Sequence, residues 1–497
     1  MSANQTTSAA SDGILGLDGF ALAAAIRARE LSPVEVIEAT LERIDRLDGE
    51  INSFTEVFHD QARAAARTAE RVVGDDGPPL LGVPVSIKDH IWVEGASATN
   101  GSFAFRNFVA PEDCGVVERL RAAGAIIVGK TNNPEFLLRS YTDNDVFGTT
   151  RNPWDLGRTA GGSSGGSGAA VAAGMAPISI GTDGGGSIRI PASFCGVVGL
   201  KPTFGLIPKL PGFRGWPTLS TDGPMTRSVR DAGLALSVIA GLHPADLLST
   251  VGPGTDFLAE STRTDGLVGL RVAFSEDFGS EPVDDEVRRV FRAAVQRFAE
   301  TGCELVNADP PHGEQLQGLW WKVVAPEIFA SEGPLLAEYG SQMSEGIAEI
   351  VRSGEAPTAS DYLDAQHQRN DLARSWATFH ETYDLLLAPT MQVTPFPVGQ
   401  QSPDQVGGRP ADPVFEDWVS MIYAANLTNQ PALSVPIGFS SDGLPIGMQI
   451  IARRFEDGLA LRAGAAWEQL SPWSALWPPT VTAHPPHLQT DSPMRRE

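Results

Sequence analysis

Apolar residues recur at three- and four-residue intervals early in the chain, where Val34, Ile37, Leu41, Ile44 and Leu47 share one face of a predicted helix. Ser32, Pro33 and Glu35 supply a capping box with proline at the first helical position, and Gly49 is its predicted end. From residue 82 to 93 the pattern changes to a run of β-branched and apolar residues, the signature of a buried strand, with Lys88 in its middle. A helix over residues 116–123 and a strand over 125–128 follow. The same grammar returns with a strand over 270–274, a helix over 287–300 carrying the stripe Val290, Phe291, Val295 and Phe298, and a strand at 305–306. Strands alternating with amphipathic helices predict an α/β architecture, a sheet covered by helices. Residues 155–160 carry no such period and read as loop.

Between residues 310 and 380 the chain is helix-like, aromatic and weakly patterned, which fits either a lid or pocket wall or a peripheral helical layer. The tail from Ser471 has six prolines and no periodicity, so an extended or disordered end is predicted. The polar residues 1–13 lack the basic and apolar regions of a secretory signal; they read as a disordered N-terminus of a cytoplasmic protein. Two uncharged stretches, 159–182 and 418–441, are long enough to span a bilayer, but Gly, Ser, Asn, Gln and Pro interrupt them and a buried globular core is the expected setting.

Charge narrows the partners. Across 497 residues, 37 Lys and Arg stand against 61 Asp and Glu, a net charge of −24 that repels nucleic acid and anionic membranes. Cys114, Cys195 and Cys303 are too few and too scattered for a disulfide framework or a metal site.

Two motifs point away from their usual meaning. Gly124 to Thr131 satisfies the phosphate-loop pattern, yet its intervening residues are a buried apolar strand rather than a loop that wraps phosphate. Gly161-Gly-Ser-Ser-Gly165 matches a nucleophile elbow, but no strand is predicted before it, and none of the downstream histidines sits in a marked setting. The richer chemistry lies in Gly181-Thr-Asp-Gly-Gly-Gly-Ser-Ile-Arg189. Three glycines before Ser187 suit backbone N–H donors of an oxyanion hole, and equally a packing turn or an anion-binding nest.

The run from Gly161 through Ser187 to Thr203 resembles the central motif of the amidase signature family, whose triad is Ser-cisSer-Lys. The resemblance extends through Gly129 to Phe136, Asn152-Pro-Trp154, Thr221 to Arg227 and Ala432 to Pro436, about residues 15–470 in all. It implies a single large α/β/α sandwich over residues 14–470, a mixed twisted sheet with helices on both faces. The motif-bearing core falls at about 80–230, a helical lid or pocket segment at about 310–420, and the proline-rich tail at 471–497. By the same resemblance the family's nucleophile falls on Ser187, its first serine, on a cis peptide bond, on Ser163 24 residues earlier, and its general base on Lys88 in Pro84-Val-Ser-Ile-Lys-Asp89. The implied oxyanion donors are backbone N–H groups of Gly184, Gly185, Gly186 and Ser187, with Ser164, Asp183 and Arg189 in support.

The implied activity is hydrolysis of a C–N bond through an acyl-enzyme, with no metal or organic cofactor. The predicted substrate is a small amide, anilide, carbamate or ester, acted on by a monomer or homodimer. Trp320, Trp321, Phe329, Phe396 and Trp418 are the candidate pocket residues and favour an apolar or aromatic group. Lys88 in isolation also fits a buried ion pair with Asp89, and Asp183 with Arg189 fits a surface salt bridge. The alternatives in function are the glutaminase component of a tRNA-dependent amidotransferase and an inactive scaffold or binding protein.

Overall fold

The computed structural model describes residues 13–74, 76–311, 316–413 and 416–483. Eleven strands form its central mixed sheet: β1 (Phe54–Val57), β2 (Pro84–Lys88), β3 (Ile126–Thr131), β4 (Ile178–Asp183), β5 (Val198–Lys201), β6 (Thr221–Thr226), β7 (Arg271–Phe274), β8 (Glu304–Asn307), β9 (Leu385–Pro389), β10 (Ala432–Phe439) and β11 (Pro445–Ala452). Their spatial order is β1-β3-β2-β4-β6-β5-β10-β11-β9-β7-β8. Two parallel stretches, β3-β2-β4 and β9-β7-β8, are joined through antiparallel neighbours. Strands β2, β3, β4, β6 and β9 are buried along their whole length, as strands covered on both faces must be. That is the predicted fold class, an α/β sheet flanked by helices.

The predicted helix at residue 33 is the helix Pro33–Ile51, with the Ser32–Glu35 capping box formed. It runs two residues past Gly49 and ends on Asn52 in the left-handed conformation (φ 56°), where Asp48 accepts from the Ser53 and Phe54 N–H groups. A polar C-cap takes the place of the expected glycine. The phosphate-loop lookalike lies largely in β3, where Gly129 packs directly against the Glu56 carbonyl of β1.

Other expectations are corrected. Asp155–Thr159 is a short strand paired with Arg151–Asn152, with Asp155 exposed, Arg158 half-buried and Leu156 its one large apolar residue, so it carries no apolar signal. Within 310–420, the helices Leu316–Glu332, Ile347–Ser353 and Ala359–Thr382 account for the helix-like pattern, but β9 is an interior strand of the sheet between β11 and β7. The tail is packed as far as it is described. The Trp473 indole donates to the Arg227 carbonyl at 2.9 Å, the Arg227 guanidinium lies 3.6 Å from the centre of the Trp477 ring, and Pro479–Ala483 is helical. Prolines remove the periodicity there, while the tryptophans supply the burial. The predicted disordered N-terminus 1–13, apart from residue 13, and the part of the predicted tail 471–497 that follows residue 483 lie outside the described residues. Among the described residues no helix is long and apolar enough to cross a membrane.

Candidate active site

The carboxyl ends of parallel strands are where open α/β sheets place their ligands. Lys88 is the last residue of β2 and Asp183 the last of its parallel neighbour β4. The helix Gly165–Ala172 begins beside them, just after the cis peptide bond between Gly162 and Ser163. Gly162 and Gly166 are fixed by close approach: a β-carbon on either would strike the backbone of Tyr141 or Asn132.

Lys88 has no exposed surface. Its Nζ lies 2.7 Å from Ser163 Oγ, 2.9 Å from Ser164 Oγ and 2.8 Å from Thr182 Oγ1. Among the described residues it forms no ion pair, and Asp89 turns instead to the N–H and hydroxyl of Thr99. Burial dominates and holds the Lys88 ammonium well below its ordinary range, against a smaller upward pull from Asp183, Asp222 and Asp89. Three neutral hydroxyls around one lysine solvate an amine without neutralising a charge.

Ser187 is 7% exposed and opens on a cleft lined by Leu138, Arg139, Ser140, Gly185, Trp216, Trp320, Trp321, Glu416 and Tyr423. Its carbonyl accepts from the Ser164 N–H at 3.1 Å, which ties the two serine loops together. Ser164 Oγ in turn donates to the Thr182 carbonyl and accepts from the Thr182 N–H, both at 3.2 Å. Of the four expected oxyanion donors, the Gly186 N–H is already committed to Asp183 Oδ1 at 2.7 Å. The N–H groups of Gly184, Gly185 and Ser187 donate to no acceptor among the described residues.

Asp183 and Arg189 form a buried bidentate pair, 3.0 Å (Nε to Oδ2) and 3.1 Å (Nη2 to Oδ1), not a surface bridge. Gln449 and Asn426 accept from two of the three remaining guanidinium hydrogens at 3.0 and 2.7 Å, and Asn426 Nδ2 donates to Asp183 Oδ1 at 2.8 Å. Burial alone would raise the Asp183 carboxyl, but the Arg189 charge and hydrogen bonds outweigh it and hold the group at about 2. Its stabilising contribution is therefore present above the unfolded carboxyl value and lost only as pH falls towards 2. Asp183→Asn leaves Arg189 buried beside an amide, with an expected loss of about 3–5 kcal/mol in urea denaturation at neutral pH.

The candidate pocket residues divide. Trp320 and Trp321 line the cleft, joined by Trp216 and Tyr423, which no sequence pattern singles out. Phe396 and Trp418 are buried against Phe194 and each other, and Phe329 packs beside Gly333 and Gly354; none of the three lines the cleft. Thr182, immediately before Asp183 in the same motif, is within reach of sequence reasoning. Asn426 and Gln449 are not, because they come from 237 and 260 residues away from Arg189.

Known proteins share both the sequence and this architecture. The chain matches the family model described as Amidase over residues 35–461. An acylamidase of Rhodococcus erythropolis is 39% identical over 465 residues, covering 92% of this chain and 96% of the relative. A glutamyl-tRNA(Gln) amidotransferase component of Gloeobacter violaceus is 36% identical over 476 residues, covering 90% and 95%. The crystal structure of a bacterial aryl acylamidase of the amidase signature enzymes superposes with a TM-score of 0.84 at 31% identity, covering 91% of this chain and 96% of that one. These matches define a hydrolase acting on carbon–nitrogen bonds in amides. The chain belongs to the Amidase family, the amidase signature enzymes.

Proposed function

We propose that the chain hydrolyses a small apolar or aromatic amide, or a related anilide, carbamate or ester, with Ser187 as nucleophile, Ser163 as proton shuttle and Lys88 as general base. The observation that carries the reading is a wholly buried lysine without an ion-pair partner among the described residues, 2.7 Å from Ser163 Oγ. Neutral Lys88 takes the Ser163 proton, Ser163 takes the Ser187 proton, and Ser187 Oγ bonds to the carbonyl carbon while the C=O electron pair moves to oxygen. Collapse of that intermediate breaks the C–N bond, and the proton returns through Ser163 to the leaving nitrogen. Water then hydrolyses the acyl-enzyme by the same relay. The Ser187 hydroxyl makes no hydrogen bond among the described residues, and catalytic contacts of this kind tighten when substrate is in place. The N–H groups of Gly184, Gly185 and Ser187 are the donors for the oxyanion.

Trp216, Trp320, Trp321 and Tyr423 around the cleft support an apolar or aryl substrate, as do the acylamidase and aryl acylamidase relatives. One observation favours a second reading, glutamine hydrolysis: Arg139 and Glu416 line the same cleft. Glu416, however, is engaged by the Ser140 N–H and hydroxyl, and Arg139 donates to the Glu345 carbonyl. The net charge of −24 also disfavours work beside tRNA.

Two measurements test this. A fluorophosphonate probe is expected to phosphonylate Ser187, read as a mass shift on its peptide. Aryl amides are expected to exceed glutamine in kcat/KM by about 100-fold or more. A preference for glutamine, or labelling elsewhere, overturns the reading.

A further inference from the structure

Between the last residue of β4 and Ser187 the chain passes through Gly184, Gly185 and Gly186, and its anchors are unequal. The Ser187 end is held by Asp183, which accepts from the Gly186 and Ile188 N–H groups, and by the Ser164 N–H on the Ser187 carbonyl. The Gly184–Gly185 peptide has a single hydrogen bond among the described residues: the Trp320 indole Nε1–H donates to the Gly184 carbonyl at 2.9 Å. A peptide unit is planar, and in the trans form its N–H points opposite to its C=O. Capturing the Gly184 oxygen therefore fixes the direction of the Gly185 N–H. Without that contact a glycine–glycine peptide has no side chain to resist reorientation.

Trp320 is itself immobilised. It is 5% exposed, stacks on Tyr423 at 4.7 Å and meets Trp216 and Trp321 edge-on at 5.5 and 5.0 Å. The two glycines lie against these rings: a β-carbon on Gly185 would meet Trp320 Cζ2 at 2.8 Å, and one on Gly184 would meet Trp216 Cε3 at 2.5 Å. Their lack of side chains thus serves close approach to the indoles. The Gly185 N–H has no acceptor among the described residues, and Gly185, Ser187 and Trp320 line one cleft. Donation to the Gly184 carbonyl also polarises the amide and strengthens its N–H as a donor.

We infer that Trp320 is a positioning residue for amide hydrolysis: its indole N–H holds the Gly184–Gly185 peptide so that the Gly185 N–H faces the developing oxyanion. The inference rests on Ser187 being the nucleophile. It also makes one ring serve two purposes, as a wall against the substrate and as the brace of the oxyanion donor.

The test removes the N–H, keeping an aromatic ring through Trp320→Phe and the bicyclic shape through the closer isostere 3-benzothienylalanine at position 320. Both are expected to lower kcat for an aryl amide by about 10- to 100-fold with KM within about 2-fold, since misdirecting a donor costs up to what deleting one does. A boronic acid that forms a tetrahedral adduct should lose affinity by a similar factor, while the carboxylic acid product binds unchanged. An unchanged kcat with a raised KM, or undiminished boronate affinity, in the benzothienyl enzyme overturns the inference and leaves Trp320 a pocket wall. Fluorophosphonate labelling of the wild type separates the two readings: failure to label Ser187 sinks the nucleophile assignment, whereas labelling of the wild type with an unaltered benzothienyl enzyme sinks this inference alone.

Discussion

Ser187→Ala is expected to lower kcat for amide hydrolysis by about 10⁵- to 10⁶-fold while the protein stays folded. The fold should survive because the lost hydroxyl makes no hydrogen bond among the described residues. What Ser187 contributes to the architecture is its backbone, whose carbonyl receives the Ser164 N–H, and alanine keeps that contact. The chemistry should not survive. Without Oγ no acyl-enzyme forms, and the free N–H groups of Gly184, Gly185 and residue 187 can only polarise a carbonyl towards attack by water, which leaves the small residual rate typical of an oxyanion site without its nucleophile. Single-turnover assays with an anilide, beside thermal denaturation, check both halves. Turnover near the wild-type rate would show that another group carries the attack.

Much of this site is visible in the sequence, and the reason is local. Lys88 stands out because a lysine amid Val85, Ile87 and Ile91 must be buried with its charge suppressed or compensated, and the structure gives it three hydroxyls and, among the described residues, no carboxylate partner. The serines and glycines are legible because one continuous segment, residues 161–189, holds them. What is hidden depends on distant segments. Asn426 and Gln449 complete the Asp183–Arg189 cluster from far along the chain, and no spacing announces that. Aromatic residues are ambiguous for the same reason: Trp320 and Trp418 look alike in sequence, and only tertiary packing puts one beside Ser187 and the other against Phe194. The tail and the strand Asp155–Thr159 escape notice where proline or surface charge erases the periodicity that marks packed elements.

Lys88→Met is expected to cut kcat/KM by about 10⁴-fold and to remove a pH dependence as well as a rate. A lysine acts as a base only in its neutral form, so wild-type activity should be lost as pH falls through the depressed Lys88 value and reach a plateau above it. A site governed by histidine would instead titrate near 6.5; His90, the histidine nearest in sequence to Lys88, is half-buried, and desolvation of its ring pushes it down to about 3, which leaves it neutral throughout the working range. Methionine preserves the length and apolar stem of the side chain, and the residual activity of the variant should lack the limb that belongs to Lys88. Stability gives an independent check with a definite sign. Between the lowered folded value and the ordinary value of about 10.4, the unfolded chain binds a proton at Lys88 that the folded chain does not, so unfolding free energy rises with pH across that window. Methionine carries no such proton. The wild type should therefore gain stability relative to Lys88→Met as pH rises through the window, measured as the difference in urea midpoints. A difference that stays flat with pH would mean that Lys88 is charged in the folded protein, and a charged lysine cannot be the base.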